Sequence, residues 1–310
     1  MISLALDAYH IPVLAAEVAA LLAGARAVLD GTLGGGGHSR LLLAQGADVT
    51  AIDRDPQAIA EARAQLSEEE RAGRFHPYLG NFAALDDIPA LRDSRFDGVL
   101  LDLGVSSHQL DDESRGFSFR EGAPLDMRMG TDAQQSAAAL LNEAPDQQLM
   151  QLFREYADER RAPRLAREIV KRRSTEPFAT SDHLVNAIRG ALGPRSGPAD
   201  FARIFQAIRI EVNDELGALD RALPSLRDRL TPGGVLAVIS YHSGEDRVVK
   251  HAFRDWSNPC TCPPRQPRCV CGAVALGESV TRKAVTASAR ELAKNPRARS
   301  ARLRAWRRAA

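Results

Sequence analysis

Apolar positions in the first hundred residues follow two signatures, short unbroken runs that close on an aspartate and longer stretches with helical spacing. Val28 and Leu29 lead into Asp30, Val49 to Ile52 into Asp53, and Val99 to Leu101 into Asp102. The run Phe96–Leu103 has no polar alternation, as expected of a parallel strand covered on both faces. Between the runs, residues 10–27 carry Val13, Leu14, Val18, Leu21 and Leu22 at helical spacing, entered through Pro12. Further helices are predicted from 38 to about 45 and over 56–71, the latter starting at Pro56. A strand-like Arg74–Leu79 then leads into the loop Gly80-Asn81-Phe82. Strands alternating with helices predict an α/β fold with a doubly wound parallel sheet.

The pattern changes near residue 111. Gly116–Phe119 and Pro124–Met129 read as an irregular arm, followed by helical periodicity near 133–142, 145–157, 161–174 and 180–192, with a Gly/Pro-rich linker at Leu192–Pro198. The sheet is expected to resume after a long helical pattern over 201–230, broken at Pro224. The turn Thr231–Gly234 then feeds a strand at Val235–Ser240. The expected organisation is a nucleoside-binding core in 1–110, an inserted all-helical subdomain in 111–204 and the rest of the core in 205–310.

The chemistry gathers at the expected strand ends. Asp30 is followed by Gly-Thr-Leu and then by four glycines, Gly34 to Gly37, before His38 and Ser39 open a helix. Glycines allow close backbone approach and positive φ, and the first turn of a helix offers free N–H groups. Asp53, about 20 residues past the turn at the end of the next strand, is placed to bond the two hydroxyls of a ribose. Phe82 lies either over an adenine or in the core. In a doubly wound sheet the ligand crevice lies beyond the carboxyl ends of the strands, where Asp30, Asp53 and Asp102 converge. His242, just past the last strand, is either a satisfied loop histidine or a substrate contact. The glycines do not follow a spaced G-x-G-x-x-G. An acidic Asp30 beside the turn would repel a pyrophosphate but suits ammonium and sulfonium charges, which favours S-adenosyl-L-methionine (AdoMet) over NAD.

Composition sets the boundaries. The 310 residues are 44% hydrophobic and 26% charged, with a formal net charge of +1. No apolar run reaches the roughly 20 residues that span a bilayer, and no signal-peptide pattern opens the chain, so no membrane contact and a cytoplasmic location are expected. Basic residues are concentrated. Arg154–Arg173 holds eight Lys/Arg against four acids, either a solvated face or a phosphate-contacting one. Residues 282–310 hold ten against one, Glu291, and read as a disordered basic tail or as a nucleic-acid contact with Trp306 available to stack. All four cysteines, Cys260, Cys262, Cys269 and Cys271, fall in one block as two Cys-x-Cys pairs. They suit one structural zinc, with two disulfides as the alternative.

The chain resembles the MraW/RsmH family, bacterial 16S rRNA (cytosine-N4)-methyltransferases. The resemblance rests on His10–Glu17, Asp30–Ser39, Ala51–Ala58, Gly80–Phe82, Asp97–Gln109, Gly116–Met129, Phe205–Leu216, Gly233–Arg247 and Asn295–Arg304. Asp-Leu-Gly-Val-Ser-Ser at 102–107 and Pro-Leu-Asp-Met-Arg-Met at 124–129 are its most specific parts. It implies a class I AdoMet-dependent methyltransferase, a Rossmann-like sheet with a helical insertion, acting on the small ribosomal subunit. It also implies that Gly36, Gly37 and His38 line the AdoMet site, that Asp53 takes the ribose and Phe82 the adenine, and that Asp102 and Gln109 complete the pocket. His108, Gly35, Tyr241 and Gly244 depart from the family's usual Pro, Arg, Phe and Leu. Much of a Pro-Ala-Thr-Arg-Thr stretch is missing at Ala199–Ile204, and many relatives lack the cysteine block.

Methylation of a cytosine amine needs an acceptor that localises the nitrogen lone pair and takes its proton. Asp102 and the Val105–Ser107 loop, Ser106 in particular, are the candidates, with His242 a further one. No obligate protein partner is legible. Two other classes compete: an amino-methyltransferase acting on DNA or a small molecule, and a non-catalytic RNA-binding module. The second leaves Asp30, Asp53 and Asp102 without a purpose.

Overall fold

The computed structural model describes residues 12–260, 262, 263, 266 and 270–310. Its strands are β1 (Ala27–Asp30), β2 (Asp48–Asp53), β3 (Phe75–Leu79), β4 (Phe96–Asp102), β5 (Leu230–Ser240), β6 (Gly277–Ser279) and β7 (Arg302–Arg308). They form one seven-stranded sheet in the order β3-β2-β1-β4-β5-β7-β6. The first five in that order run parallel, while β7 is antiparallel to both β5 and β6. The helices are α1 (Ala15–Leu21), α2 (Gly37–Ala44), α3 (Pro56–Gln65), α4 (Ser67–Arg71), α5 (Ser107–Asp111), α6 (Ala137–Glu143), α7 (Asp146–Ala157), α8 (Ala162–Arg173), α9 (Ser181–Leu192), α10 (Pro198–Val212), α11 (Glu215–Asp228), α12 (Ser243–Ser257) and α13 (Ala289–Lys294). Among the described residues no helix is long and apolar enough to cross a membrane.

Two compact units result. Residues up to Gly104 together with those from Leu216 onward make one, and Val105–Glu215 the other. In the sheet unit, successive strand residues feed opposite cores, which explains the unbroken apolar runs. Val28 and Leu100 pack with Leu42, Ile59 and Leu303 on one face, while Leu29 and Leu101 pack with Leu219, Phe253 and Trp306 on the other. The helical unit has its own core, centred on Phe153, Leu165, Ile169, Ile188 and Ile208. Asn213 pins the irregular arm in that unit. Its side chain accepts the Met129 N–H (2.8 Å) and donates to Met127 O (2.7 Å).

The structure departs from the sequence reading in four places. Residues 105–110 and 205–215, expected in the sheet core, belong to the helical unit, the second stretch because Phe205, Ile208 and Val212 are buried in its core. The long helical pattern breaks at 213–214, where Asp214 takes φ +48°, and Pro224 lies inside α11. The expected turn at Thr231–Gly234 is an irregularity within β5, whose register on β4 jumps between the Phe96–Leu230 and Gly98–Val235 pairs. The largest difference concerns the basic tail. Its end is β7, an interior strand of the sheet, and Trp306 is fully buried, so its ring has no face left for a base. Trp306 packs edge-on against Trp256 at 5.2 Å, and its Nε1 donates to Ser257 Oγ. Arg304 makes a two-pronged bond to Asp246 of α12, so part of the basic excess is structural.

Candidate active site

The segment 30–38 ties three strand ends together. Gly31 N–H donates to Leu100 O at 2.9 Å and Leu33 N–H to Ile52 O at 3.0 Å, which bridges both neighbours of β1. Asp102 N–H donates to Thr32 Oγ1 (2.6 Å), and Gly34 N–H to Asp53 Oδ2 (2.8 Å). Two glycines are dictated by geometry. A Cβ at Gly31 would stand 2.5 Å from Leu101 Cδ2, and Gly36, the N-cap of α2, has φ +72°. A side chain at the second position costs about 1–2 kcal/mol. No side chain caps α2, so the N–H donors of its first turn stay available beside Gly37.

The three aspartates have different surroundings. Asp30 is 1% exposed, and its oxygens accept from Ser39 Oγ (2.7 Å) and Thr32 N–H (3.2 Å). Burial raises its carboxyl above the ordinary range, opposed by Ser39 and by nearby His38. The sequence reading sets Asp30 against a ligand's positive charge; in the structure each of its oxygens accepts one donor from the turn itself. Asp53 is half-buried and accepts one backbone N–H on each oxygen, from Gly34 and from Asp55 (2.9 Å). Burial pushes its carboxyl up to about 6 in spite of those two bonds. Asp102 keeps 22% of its side chain exposed, with Oδ1 accepting the Tyr241 hydroxyl at 2.8 Å.

His38 is buried beside them. Its Nε2 stands 3.5 Å from Asp102 Oδ2, and neither ring nitrogen has a hydrogen-bond partner among the described residues. Phe82 is half-buried and serves both expectations in part. It packs with the core around Leu101, and its Cβ lies next to the bare Gly31.

Beyond β5, Glu245 organises the loop. Its Oε2 accepts the N–H groups of Tyr241 (2.8 Å) and His242 (3.3 Å). His242 caps α12, with Nδ1 accepting the Glu245 N–H and Nε2 lying 3.3 Å from Glu245 Oε1. Burial, and next the Asp102 carboxylate, drive the Tyr241 hydroxyl far above its ordinary range, so it stays protonated and donates. Sequence reasoning missed Thr32, Ser39, Tyr241 and Glu245 as site residues. The departure from Phe at 241 was the available signal for one of them.

Ser106 and Gln109 belong to the helical unit. They form a reciprocal cap on α5: Ser106 N–H donates to Gln109 Oε1 (3.0 Å) and Gln109 N–H to Ser106 Oγ (3.2 Å). In the same unit, α8 buries Leu165, Ala166 and Ile169 and exposes Arg164, Arg167 and Lys171 along one stripe. Arg164 also donates to Gly190 O (3.4 Å) and Arg167 to Pro163 O (3.0 Å), and other arginines of that basic stretch are engaged internally. Arg173 donates to Leu141 O and Ala144 O, Arg161 to Leu192 O, and Arg172 pairs with Glu168. Of the cysteines, Cys260, Cys262 and Cys271 converge, and Cys269 lies outside the described residues.

The model of the MraW methylase family matches residues 7–309 of this chain. A relative named ribosomal RNA small subunit methyltransferase H, from Gemmatimonas aurantiaca, is 64% identical over 299 residues, spanning 96% of this chain and 95% of its own length. A protein of the same name from Geobacter sulfurreducens is 47% identical over 308 residues, covering 96% and 97%. Another, from Heliobacterium mobile, is 45% identical over 309 residues, covering 96% and 98%.

Proposed function

Because the chain belongs to the MraW methylase family, an AdoMet-dependent methyltransferase family, we propose that it methylates the exocyclic N4 amine of a cytidine in 16S rRNA of the small ribosomal subunit. The observation that carries this reading is the turn 30–38, which binds the ends of β1, β2 and β4 into one rigid edge with Asp53 and Asp102 on it. That substrate places the reaction in the cytoplasm.

The residues at that edge fit AdoMet. Each oxygen of Asp53 accepts one backbone N–H and keeps capacity for a ribose hydroxyl. Buried His38, with both ring nitrogens unpartnered among the described residues, offers a further polar contact beside Gly36 and Gly37. Phe82 supplies an apolar surface for the adenine. When bound, AdoMet supplies an electrophilic methyl group on a sulfonium.

The protein's own part is to position the amine and receive its proton. The Asp102 carboxylate is partly exposed and accepts the Tyr241 hydroxyl, while the Asp102 backbone N–H is anchored on Thr32 Oγ1. A carboxylate so placed accepts a hydrogen bond from the amine and concentrates the nitrogen lone pair as positive charge develops. Such a fixed acceptor is worth about two to four orders of magnitude in rate. Ser106 and Gln109 stiffen the segment that follows Asp102 through their mutual cap. His242, already committed to capping α12, we assign to holding Tyr241 in register, with Glu245, and not to proton transfer. The exposed stripe of α8 is read as a contact for rRNA phosphates.

The test uses tritiated AdoMet and undermethylated small subunits, followed by nucleoside analysis of the digested rRNA. Label in N4-methylcytidine, lost in Asp53→Ala, is the expected result. AdoMet binding without label in rRNA would overturn the substrate and move it to DNA or a small molecule. No AdoMet binding would overturn the cofactor site.

A further inference from the structure

The segment 258–276 crosses from α12 to β6 with neither helix nor strand among its described residues. Its ends are pinned, since Leu276 N–H donates to Trp256 O at 2.9 Å. Connections this long and irregular need something to order them. Among its described residues the crossing has no apolar core to do so: Val270 and Val274 are 75% and 77% exposed. What it does have is sulfur. The Sγ atoms of Cys260, Cys262 and Cys271 all lie within 4.8 Å of one another.

The spacing separates the two chemistries left open by the sequence. Cys260 Sγ and Cys271 Sγ are 3.7 Å apart. A disulfide needs about 2.05 Å. Two corners of a tetrahedron with Zn–S bonds of about 2.3 Å stand about 3.8 Å apart. Val270 N–H points at Cys262 Sγ at 3.4 Å, a donor suited to a thiolate. Charge agrees as well. Four thiolates on Zn2+ carry a net −2, and the 258–276 sequence holds Arg265 and Arg268 with no Asp or Glu.

We propose that Cys260, Cys262 and Cys271, with Cys269 supplied by the sequence as fourth thiolate, bind one structural Zn2+ that orders the 258–276 crossing. Four sulfur ligands close the coordination sphere, so the ion takes no part in methyl transfer. Metal binding here is folding energy for a segment that has no core of its own.

The chain's only four cysteines sit in this block, so every thiol measurement reports on it alone. The experiment takes the full untagged chain, purified under reducing conditions without chelator, and counts zinc by plasma mass spectrometry alongside thiol titration with Ellman's reagent. One zinc per chain is expected, with four thiols that react slowly until a chelator removes the metal and rapidly afterwards. In Cys262→Ser and Cys271→Ser, zinc falls to background while AdoMet binding persists. Two results would overturn the proposal: four reduced, immediately reactive thiols in a chain that takes up no added zinc, or variants that keep the wild-type zinc content. Should the variants fail to fold, the wild-type zinc count and thiol protection decide alone.

Discussion

Asp53 and Asp102 both close apolar strands, yet the structure gives them different surroundings. Desolvation in the fold pushes the Asp53 carboxyl up to about 6, above its ordinary 3.8. Folding therefore favours its protonated form, and that contribution to stability is present below about pH 4 and lost as pH rises through about 6. Above that range the carboxylate is held charged in a setting that disfavours charge, and in the proposed ribose contact hydroxyls donating to it would relieve the strain. The rise in melting temperature on adding AdoMet should thus be larger at about pH 7.5 than at about pH 5.5, and Asp53→Asn should lose the difference. Equal shifts at both pH values in the unaltered chain would remove Asp53 from ribose binding. At Asp102, replacement by Asn keeps an oxygen for the Tyr241 hydroxyl but removes the charge. Single-turnover rate in Asp102→Asn should drop by about 10²–10⁴ with AdoMet affinity within a few-fold, and a wild-type rate would refute its role as acceptor. The aspartates were legible because a polar residue ending an apolar run stands out locally. Tyr241 was not assigned a role, since its partner lies 139 residues away and only folding brings the two together.

Elements whose signal is periodicity were read well, and those defined by a long-range partner were not. The helices of the insertion sit close to their expected spans because each has a self-contained apolar face, as in α8 with Leu165, Ala166 and Ile169. The end of the chain read as a basic tail because seven residues of β7 carry four arginines. Its alternate residues Leu303 and Ala305 are buried nonetheless, and Arg304 finds Asp246. Of the two basic stretches the sequence offered for phosphate contact, our reading keeps α8, where Arg164, Arg167 and Lys171 are exposed at positions three and four apart. Changing all three to Gln should lower the slope of log affinity against log salt by about 0.7–0.9 for each phosphate that is no longer neutralised, with AdoMet binding intact. An unchanged slope, measured by filter binding to the small subunit across a salt series, would place the rRNA-binding face elsewhere.

At the scale of the whole molecule, parallel neighbours β4 and β5 are separated by everything from residue 103 to 229. Loop closure grows only as the logarithm of length, so this insertion costs about 1.2 kcal/mol more than a simple βαβ crossover of some 30 residues. The price is small because the insert brings its own core. Two units with separate cores predict two separable responses to damage. Trp306→Ala removes the largest fully buried side chain and should destabilise the sheet unit by about 3–5 kcal/mol. Denaturant melts of that variant should show the sheet unit unfolding early, and a single shifted transition for both units would indicate one cooperative block. The tryptophan pair carries one more consequence. Trp256 and Trp306 are the only indoles in the chain, and both lie in the sheet unit, stacked edge-on. Intrinsic fluorescence excited at the indole band is therefore blind to the helical unit, whereas far-ultraviolet dichroism sees both. The backbone of Trp256 also clasps Leu276 at the far end of the cysteine crossing. The emission of this chain is thus a built-in optical gauge of that loop, and if the proposed zinc orders it, chelation should shift the spectrum before any helix melts.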